Sequence, residues 1–250
     1  MLFRSKENEF QYFLSVLKDK KKTLSEREKA LRSVVYGEDG RGLGHLIVML
    51  DPSQGMAELA QKVLIEMPSQ KKSELILKAL PHITEKQAES LAQVIRSIEL
   101  DLMDGILPQL KNRHFWVVKN LLIIVGILKE KRAIPYLNEL TRHPRPSVQL
   151  ELCHAMGAIR SPENISSLLE LLESKKQPIS LAAAKALERF GEKAKEDRVI
   201  QALKNKAFQE STFRAQYQAW KALIKIDPEA GTKTASKMIK APGTSRALYQ

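Results

Sequence analysis

The side chains that could perform catalysis or bind a metal ion are few and lie far apart in the sequence. Cys153 is the only cysteine, and it is followed by His154. Because neighbouring positions on a helix point in different directions, this pair forms no metal site without further ligands. None of the five histidines precedes a glutamate, and the motifs H-E-x-x-H, G-x-S-x-G and G-x-x-x-x-G-K are absent. We therefore expect no catalytic residue, no metal ion and no cofactor, and we expect Cys153 to be a small buried side chain.

Four closely spaced glycines, Gly37, Gly40, Gly42 and Gly44, could form an anion-binding loop. A dinucleotide-binding fingerprint that began at Gly40 would need glycine where His45 stands, and no strand precedes it. The cluster therefore predicts a flexible turn between helices, with an anion-binding nest of backbone amides as the alternative.

The positive charge of the chain is concentrated in its second half. The sequence contains 41 Lys and Arg residues and 29 Asp and Glu residues, a net charge of +12 at pH 7. Residues 113–250 hold 24 of the basic and 13 of the acidic residues, whereas residues 1–112 are nearly neutral. This asymmetry indicates an anionic partner such as nucleic acid, an acidic protein surface or an anionic membrane surface, or else a solubilising surface with no specific partner.

An internal repeat of 31 residues supplies the elements that would position these side chains. Aliphatic residues recur at this step in two series, which are Val63, Val94, Val125, Met156 and Leu187, and then Leu75, Ile106, Leu137, Leu168 and Val199. Each series lies in apolar stretches of helical periodicity, so each repeat contains two helices. Gly126 and Gly157 keep the same step, which indicates close approach of a neighbouring helix. One helix pair cannot bury its own apolar face, so the repeats must stack and share a core.

Two stretches, 117–140 and 146–172, resemble bacterial HEAT-like repeats of the type that also occurs in phycobilisome lyases. The matching positions are Ala133, Ile134, Pro135, Leu137, Pro146, Val148, Ala155, Met156 and Gly157. Gln149 and Ser180 replace the usual arginine after the valine, and Glu188 replaces the helix glycine. The resemblance implies an all-α fold, a right-handed α-solenoid of about seven to eight HEAT-like helix pairs.

Two enzyme classes with HEAT-like repeats offer a comparison with this sequence. Deoxyhypusine hydroxylases hold iron through His-Glu pairs, which this chain lacks. DNA glycosylases that remove alkylated bases use an Asp close after a Trp, whereas here Trp116 is followed four residues later by Asn120. An amide cannot supply the negative charge that stabilises a sugar cation. We therefore expect no enzyme, and we expect Trp116 either to shape the entry to a helix or, if exposed, to stack on a base.

Basic residues recur between one repeat and the next, where stacking would align them along one edge. We call them the basic ridge, and they are Lys111, Arg113, Arg142, Arg145, Lys175, Lys176, Lys204 and Lys206. Cations that contact phosphates release counterions, which gives binding that weakens with salt. The structural alternative is that basic side chains near helix C-termini are stabilised by the helix dipole.

The second helices of the repeats are expected to line a groove. Their polar positions, which would face a partner, are Asn138, Glu139, Ser167 and Glu170. We predict a non-enzymatic scaffold that mediates protein–protein interaction, with a partner that can be acidic. The alternative is a nucleic-acid-binding solenoid that uses the basic ridge, and an enzyme of the lyase or glycosylase type is a third possibility. Contiguous exposed ridge residues would favour an anion, whereas an apolar groove would favour a protein.

The repeat pattern divides the chain into four segments. Residues 1–54 form an N-terminal helical cap with divergent repeats, 55–205 the core repeats, 206–240 a C-terminal capping repeat and 241–250 a flexible tail. Trp220 occupies a position that Ala155 and Ala186 hold in earlier repeats, which predicts different packing in the last repeat.

The sequence favours a cytoplasmic protein. Its longest apolar run, residues 121–128, is far shorter than the ~20 residues that cross a bilayer. The first ten residues carry charges where a signal peptide has an apolar core. We expect neither a transmembrane segment nor peripheral membrane contact.

Overall fold

The computed structural model describes residues 6–36, 45–46, 49–50, 55–209 and 212–240. These residues form helices joined by short turns, and none of them lies in a β-strand. The helices are α1 (Lys6–Lys18), α2 (Leu24–Val35), α3 (Ala57–Glu66), α4 (Ser69–Ala79), α5 (Glu85–Ser97), α6 (Met103–Ile106), α7 (Phe115–Leu128), α8 (Ile134–Glu139), α9 (Pro146–Ile159), α10 (Ile165–Leu172), α11 (Gln177–Phe190), α12 (Asp197–Gln209), α13 (Phe213–Ile226) and α14 (Pro228–Lys240). The all-α prediction is confirmed. The glycine cluster at 37–44 and the tail 241–250 lie outside the described residues.

The chain forms two compact units, Met1–Ile124 and Val125–Gln250, and the boundary falls within α7. In the first unit, α1 packs against α2, and α2 contacts α3. Ion pairs between residues 34 apart also join helices of this unit. Lys62 on α3 lies 3.0 Å from Glu28 on α2, and Lys119 on α7 lies 2.5 Å from Glu85 on α5.

The second unit continues the repeat with α9 and α10, then α11 and α12, then α13 and α14. Successive first helices approach closely because glycine stands at the contact. A Cβ atom at Gly126 would lie 3.0 Å from the Cα of Ala155, and one at Gly157 would lie 2.9 Å from the Cα of Ala186. These two contacts confirm the prediction that the periodic glycines mark close neighbouring helices.

Burial of the periodic aliphatic residues confirms the 31-residue repeat. Val63, Val94, Val125, Met156 and Leu187 are all buried. In the second series the described side chains, Ile106, Leu137, Leu168 and Val199, are also buried. The repeats thus share cores built from both helices of each pair. No helix within the described ranges has the length and apolar character needed to cross a membrane.

Packing changes in the last repeat of the second unit. The indole nitrogen Nε1 of Trp220 on α13 donates a hydrogen bond of 3.1 Å to the backbone carbonyl of Gly231 on α14. Gly231 itself contacts α13, because a Cβ atom there would lie 2.7 Å from the Cα of Ile224. The bulky indole is therefore accommodated by contact with α14. This contact agrees with the prediction that the last repeat packs differently from the earlier ones.

Candidate functional site

Two cations of the basic ridge are paired with carboxylates in the second unit. Arg142 ends the 3-10 turn that follows α8, and its Nε atom lies 2.6 Å from Oε1 of Glu170 on α10. The Arg142 side chain remains 85% exposed, and the hydrogen bond to Glu170 raises its pKa above the ordinary value. Nζ of Lys206 lies 3.2 Å from Oε2 of Glu173. These pairs place negative charges among the ridge cations.

The other ridge residues of the second unit are Arg145, Lys175, Lys176 and Lys204. Arg145 is exposed at the N-cap position of α9, and Lys175 and Lys176 are exposed just before α11. Lys175, Lys176 and the half-buried Lys204 have no ion-pair partner among the described residues. Among these ridge residues of the second unit, two of the three cations without an ion-pair partner in the described part of the chain therefore lie just before α11.

The predicted position of the last ridge pair is wrong. Lys204 and Lys206 were expected in a connection between repeats, but both lie within α12, which extends to Gln209. The reason is helix length, because the equivalent helix α10 ends at Leu172 and α12 continues further in the repeat. The two side chains therefore extend from a helix surface and not from a turn.

Of the two ridge residues in the first unit, Lys111 and Arg113, Arg113 is linked to Trp116 through His114. Lys111 ends a 3-10 turn, and Arg113 follows it and donates from Nε to Nε2 of His114 over 3.2 Å. The ring of His114 stacks on Trp116 with a centroid distance of 4.5 Å.

Trp116 and Asn120 both fasten α7 to the segment that precedes α5. Nε1 of Trp116 donates to the carbonyl oxygen of Pro81 over 3.3 Å, although the residue is 43% exposed. Nδ2 of the buried Asn120 donates to the carbonyl oxygen of Ile83 over 2.6 Å. Asn120 therefore has a packing role, and Trp116 combines anchoring with an accessible ring.

The predicted groove residues divide into an internal pair and a surface pair. Ser167 on α10 donates from Oγ to Oδ1 of Asn138 on α8 over 2.8 Å, so these two side chains link successive second helices. Glu139 is exposed at the end of α8, and Glu170 holds Arg142. The structure thus brings Glu170 to the ridge and leaves Asn138 and Ser167 mainly engaged with each other.

A cavity of about 350 Å³, which we call the proline cavity, lies between the first turns of α9 and α11. Its lining residues are Pro146, Ser147, Leu150, Lys176, Pro178 and Ile179. Sequence reasoning did not find this cavity, although the prolines in the first turns of consecutive repeats were visible signals. Two ridge residues adjoin the cavity, because Lys176 is one of its lining residues and Arg145 directly precedes the lining residue Pro146.

Cys153 is buried as expected, and its surroundings suppress its chemistry. Its Sγ atom lies 4.0 Å from the carbonyl oxygen of Ile179, and burial raises the pKa of the thiol to about 12. A thiol with this pKa holds almost no thiolate at neutral pH, so it is a poor nucleophile and a poor metal ligand. The neighbouring His154 is exposed, and its Nδ1 atom lies 3.5 Å from Oε2 of Glu151. Among the residues described, no group of three or more His, Cys, Asp or Glu side chains is arranged to hold a metal ion.

Comparisons with known proteins agree with the helix pairs. Sequence profiles of HEAT repeats match residues 103–188 and 135–224, and they do not single out the phycobilisome lyases. An engineered protein solved by the Northeast Structural Genomics Consortium aligns with a TM-score of 0.52 and 16% identity, over 95% of this chain and 75% of its own. A designed armadillo repeat protein aligns with a TM-score of 0.48 and 16% identity, over 87% of this chain and 100% of its own.

At such identities a structural likeness concerns the fold alone. No curated protein matches the sequence. The profile match covers α7 to α12 completely, which are the helices that form the proline cavity and carry most of the basic ridge. Residues 103–224 therefore belong to the HEAT repeat family.

Proposed function

We propose that this chain is a non-enzymatic scaffold that binds a protein partner at the proline cavity and the adjoining basic ridge. The observation that carries this proposal is an apolar cavity whose lining includes Lys176, a lysine without an ion-pair partner among the described residues. Pro146, Leu150, Pro178 and Ile179 supply the rest of the apolar lining, and the charge of Lys176 belongs to the same site. A segment with an apolar side chain beside a carboxylate would satisfy both features.

The shape of the cavity suits an anchoring side chain. Interfaces gain most of their affinity from a few apolar or aromatic side chains buried in pockets, surrounded by polar contacts that exclude water. Pro146 and Pro178 keep their local backbone fixed, so the cavity changes little when a partner binds. Lys176 and Arg145 would then select partners with acidic residues next to the anchor.

Mixed charge on the ridge favours a protein over nucleic acid. Glu170 beside Arg142 and Glu173 beside Lys206 offer acceptors to a partner as well as cations. These carboxylates would repel the phosphates of a nucleic acid. A protein surface can carry both acidic and basic side chains and so can pair with the carboxylates as well as with the cations.

The test is capture of proteins from an extract of the source cell on immobilised chain. Three baits are compared, which are the wild type, Lys176→Glu and the control Lys237→Glu on α14, whose side chain is exposed far along the sequence. A protein retained by the wild type and the control but lost with Lys176→Glu, with or without nuclease, supports the proposal. If no protein depends on Lys176, the proposal fails.

Nucleic-acid binding is the second candidate, and the free charges of Lys175 and Lys176 favour it. It predicts binding of a labelled DNA duplex or RNA that weakens linearly in the logarithm of salt concentration. The double variant Arg142→Glu with Lys175→Glu should then lose this binding. If neither nucleic acid binds at low salt, this candidate is excluded.

A further inference from the structure

We propose that a second cavity in the Val125–Gln250 unit, between α11 and α13, binds a phosphate group. This cavity has a volume of about 400 Å³, and we call it the α11–α13 cavity. It is lined by Lys185, Glu188, Arg189, Gln218, Lys221 and Lys225. None of these residues belongs to the basic ridge or to the proline cavity, so the inference does not depend on the proposed function.

Each helix contributes two cations one turn apart. Lys185 and Arg189 are four residues apart on α11, and Lys221 and Lys225 are four residues apart on α13. Like charges at this spacing repel each other and destabilise a helix. Two such pairs that line one cavity are an unfavourable arrangement for packing alone, and a bound anion would relieve it.

The single carboxylate of the cavity is already occupied. Oε1 of Glu188 lies 3.2 Å from Nζ of Lys221, and Oε2 accepts a hydrogen bond of 2.7 Å from Nε2 of Gln218. Lys185, Arg189 and Lys225 are exposed and have no ion-pair partner among the described residues. Glu188 therefore orders Lys221 and leaves three cations available for a ligand.

The cavity lies where the repeat departs from its regular packing. In the two preceding contacts between first helices, Gly126 faces Ala155 and Gly157 faces Ala186 with no room for a Cβ atom. The next position at the 31-residue step is Glu188, whose long side chain reaches Gln218 on α13. A charged side chain thus replaces a glycine contact, and a cavity lined by cations accompanies this change.

The charge and the extent of the cluster match a phosphate group. A phosphate monoester carries a charge of about −1.5 to −2 at pH 7 and three acceptor oxygens, and arginine and lysine are its usual ligands. The preceding first helix, α9, contains no Lys or Arg, so the basic cluster does not continue onto it. Nucleic acid gains affinity from many phosphates along an extended surface, which a cluster on two helices does not provide.

The test measures binding by calorimetry with two probes that separate the sources of the phosphate. One probe is inorganic pyrophosphate, and the other is a phosphoserine peptide compared with its unphosphorylated form. The wild type should bind at least one probe at low salt. Because each lost cation removes a charge-assisted contact, Arg189→Gln with Lys225→Gln should weaken binding by at least roughly tenfold. The control Lys237→Gln removes an exposed charge on α14 and should bind like the wild type.

Each outcome decides the proposal. Tighter binding of pyrophosphate indicates a small phosphorylated molecule, and tighter binding of the phosphopeptide than of its unphosphorylated form indicates a phosphorylated protein. Arg189→Lys keeps the charge and should retain most of the affinity. The proposal is overturned if neither probe binds, if the double variant binds as well as the wild type, or if Lys237→Gln weakens binding equally. It is also overturned if a DNA duplex binds at this cavity more tightly than both probes.

Discussion

Ser167 on α10 donates a hydrogen bond of 2.8 Å to the side-chain oxygen of Asn138 on α8, and this bond joins two successive second helices. Both residues had been predicted to face a partner in the groove. Ser167 is 9% exposed, so its hydroxyl is mainly an internal linker. The hydrogen bond therefore fixes the spacing of the helices that carry Glu139 and Glu170.

Replacing Ser167 by alanine should lower the free energy of unfolding. The variant loses a part-buried hydrogen bond and leaves the amide oxygen of Asn138 without this donor, a cost of about 1 kcal/mol. Ser236→Ala is the matched control, because its hydroxyl donates to the backbone carbonyl of the exposed Thr232 within α14, and it should change stability by less than about 0.5 kcal/mol. Urea denaturation measures the free energy of unfolding of the two variants. Equal stability losses in the two variants would contradict the linking role.

Gly157→Ala should destabilise the chain, although the same change in an open helix stabilises it by roughly 1 kcal/mol. The new Cβ atom would lie 2.9 Å from the Cα of Ala186, so α9 and α11 would have to separate. Overpacking of this kind costs about 1 to 3 kcal/mol. Thermal or urea unfolding checks the sign. A more stable Gly157→Ala variant would show that the two helices are not in close contact.

The Cys153 thiol should not react with a thiol-modifying reagent in the folded chain at pH 7.5. Its pKa of about 12 and its burial leave neither thiolate nor access. In denaturing urea the same thiol should be labelled completely. Mass spectrometry of both samples gives the answer, and rapid stoichiometric labelling of the folded chain would refute the account of this residue.

The same pKa shift predicts a pH dependence of stability. The thiol pKa is about 12 in the folded chain and 9.0 as the ordinary value, so the unfolded chain loses its proton first. The neutral thiol makes its full contribution to the free energy of unfolding below pH 9. This contribution is lost as the pH rises from 9 towards 12. The wild type should therefore lose more stability than Cys153→Ala over this range. If the free energy of unfolding falls equally with pH in the two proteins, the raised pKa of the Cys153 thiol is contradicted.

Periodicity was enough to predict the core and the helix pairs. Val125, Met156 and Leu187 were identified from a step of 31 residues, and all three are buried. Gly126 and Gly157 were likewise identified as close contacts between helices. Such features follow from local sequence because every repeat must bury the same face against its neighbours.

The site depended on features that periodicity does not determine. Lys204 was assigned to a turn because the repeat predicted one there, whereas α12 continues past it. The pairing of Arg142 with Glu170 joins residues 28 apart, and the registers of two helices decide it. The proline cavity and the contacts of Glu188 also arise between repeats, so the sequence pattern within one repeat does not predict them.

The most direct test of the scaffold proposal places a photo-crosslinking amino acid at position 150, inside the proline cavity. The matched control carries the same group at position 237 on α14. After irradiation in a nuclease-treated extract of the source cell, the account predicts a discrete protein adduct from position 150 and none from position 237. Adducts with nucleic acid alone, or the same adducts from both positions, would contradict the claim that this cavity binds a protein partner.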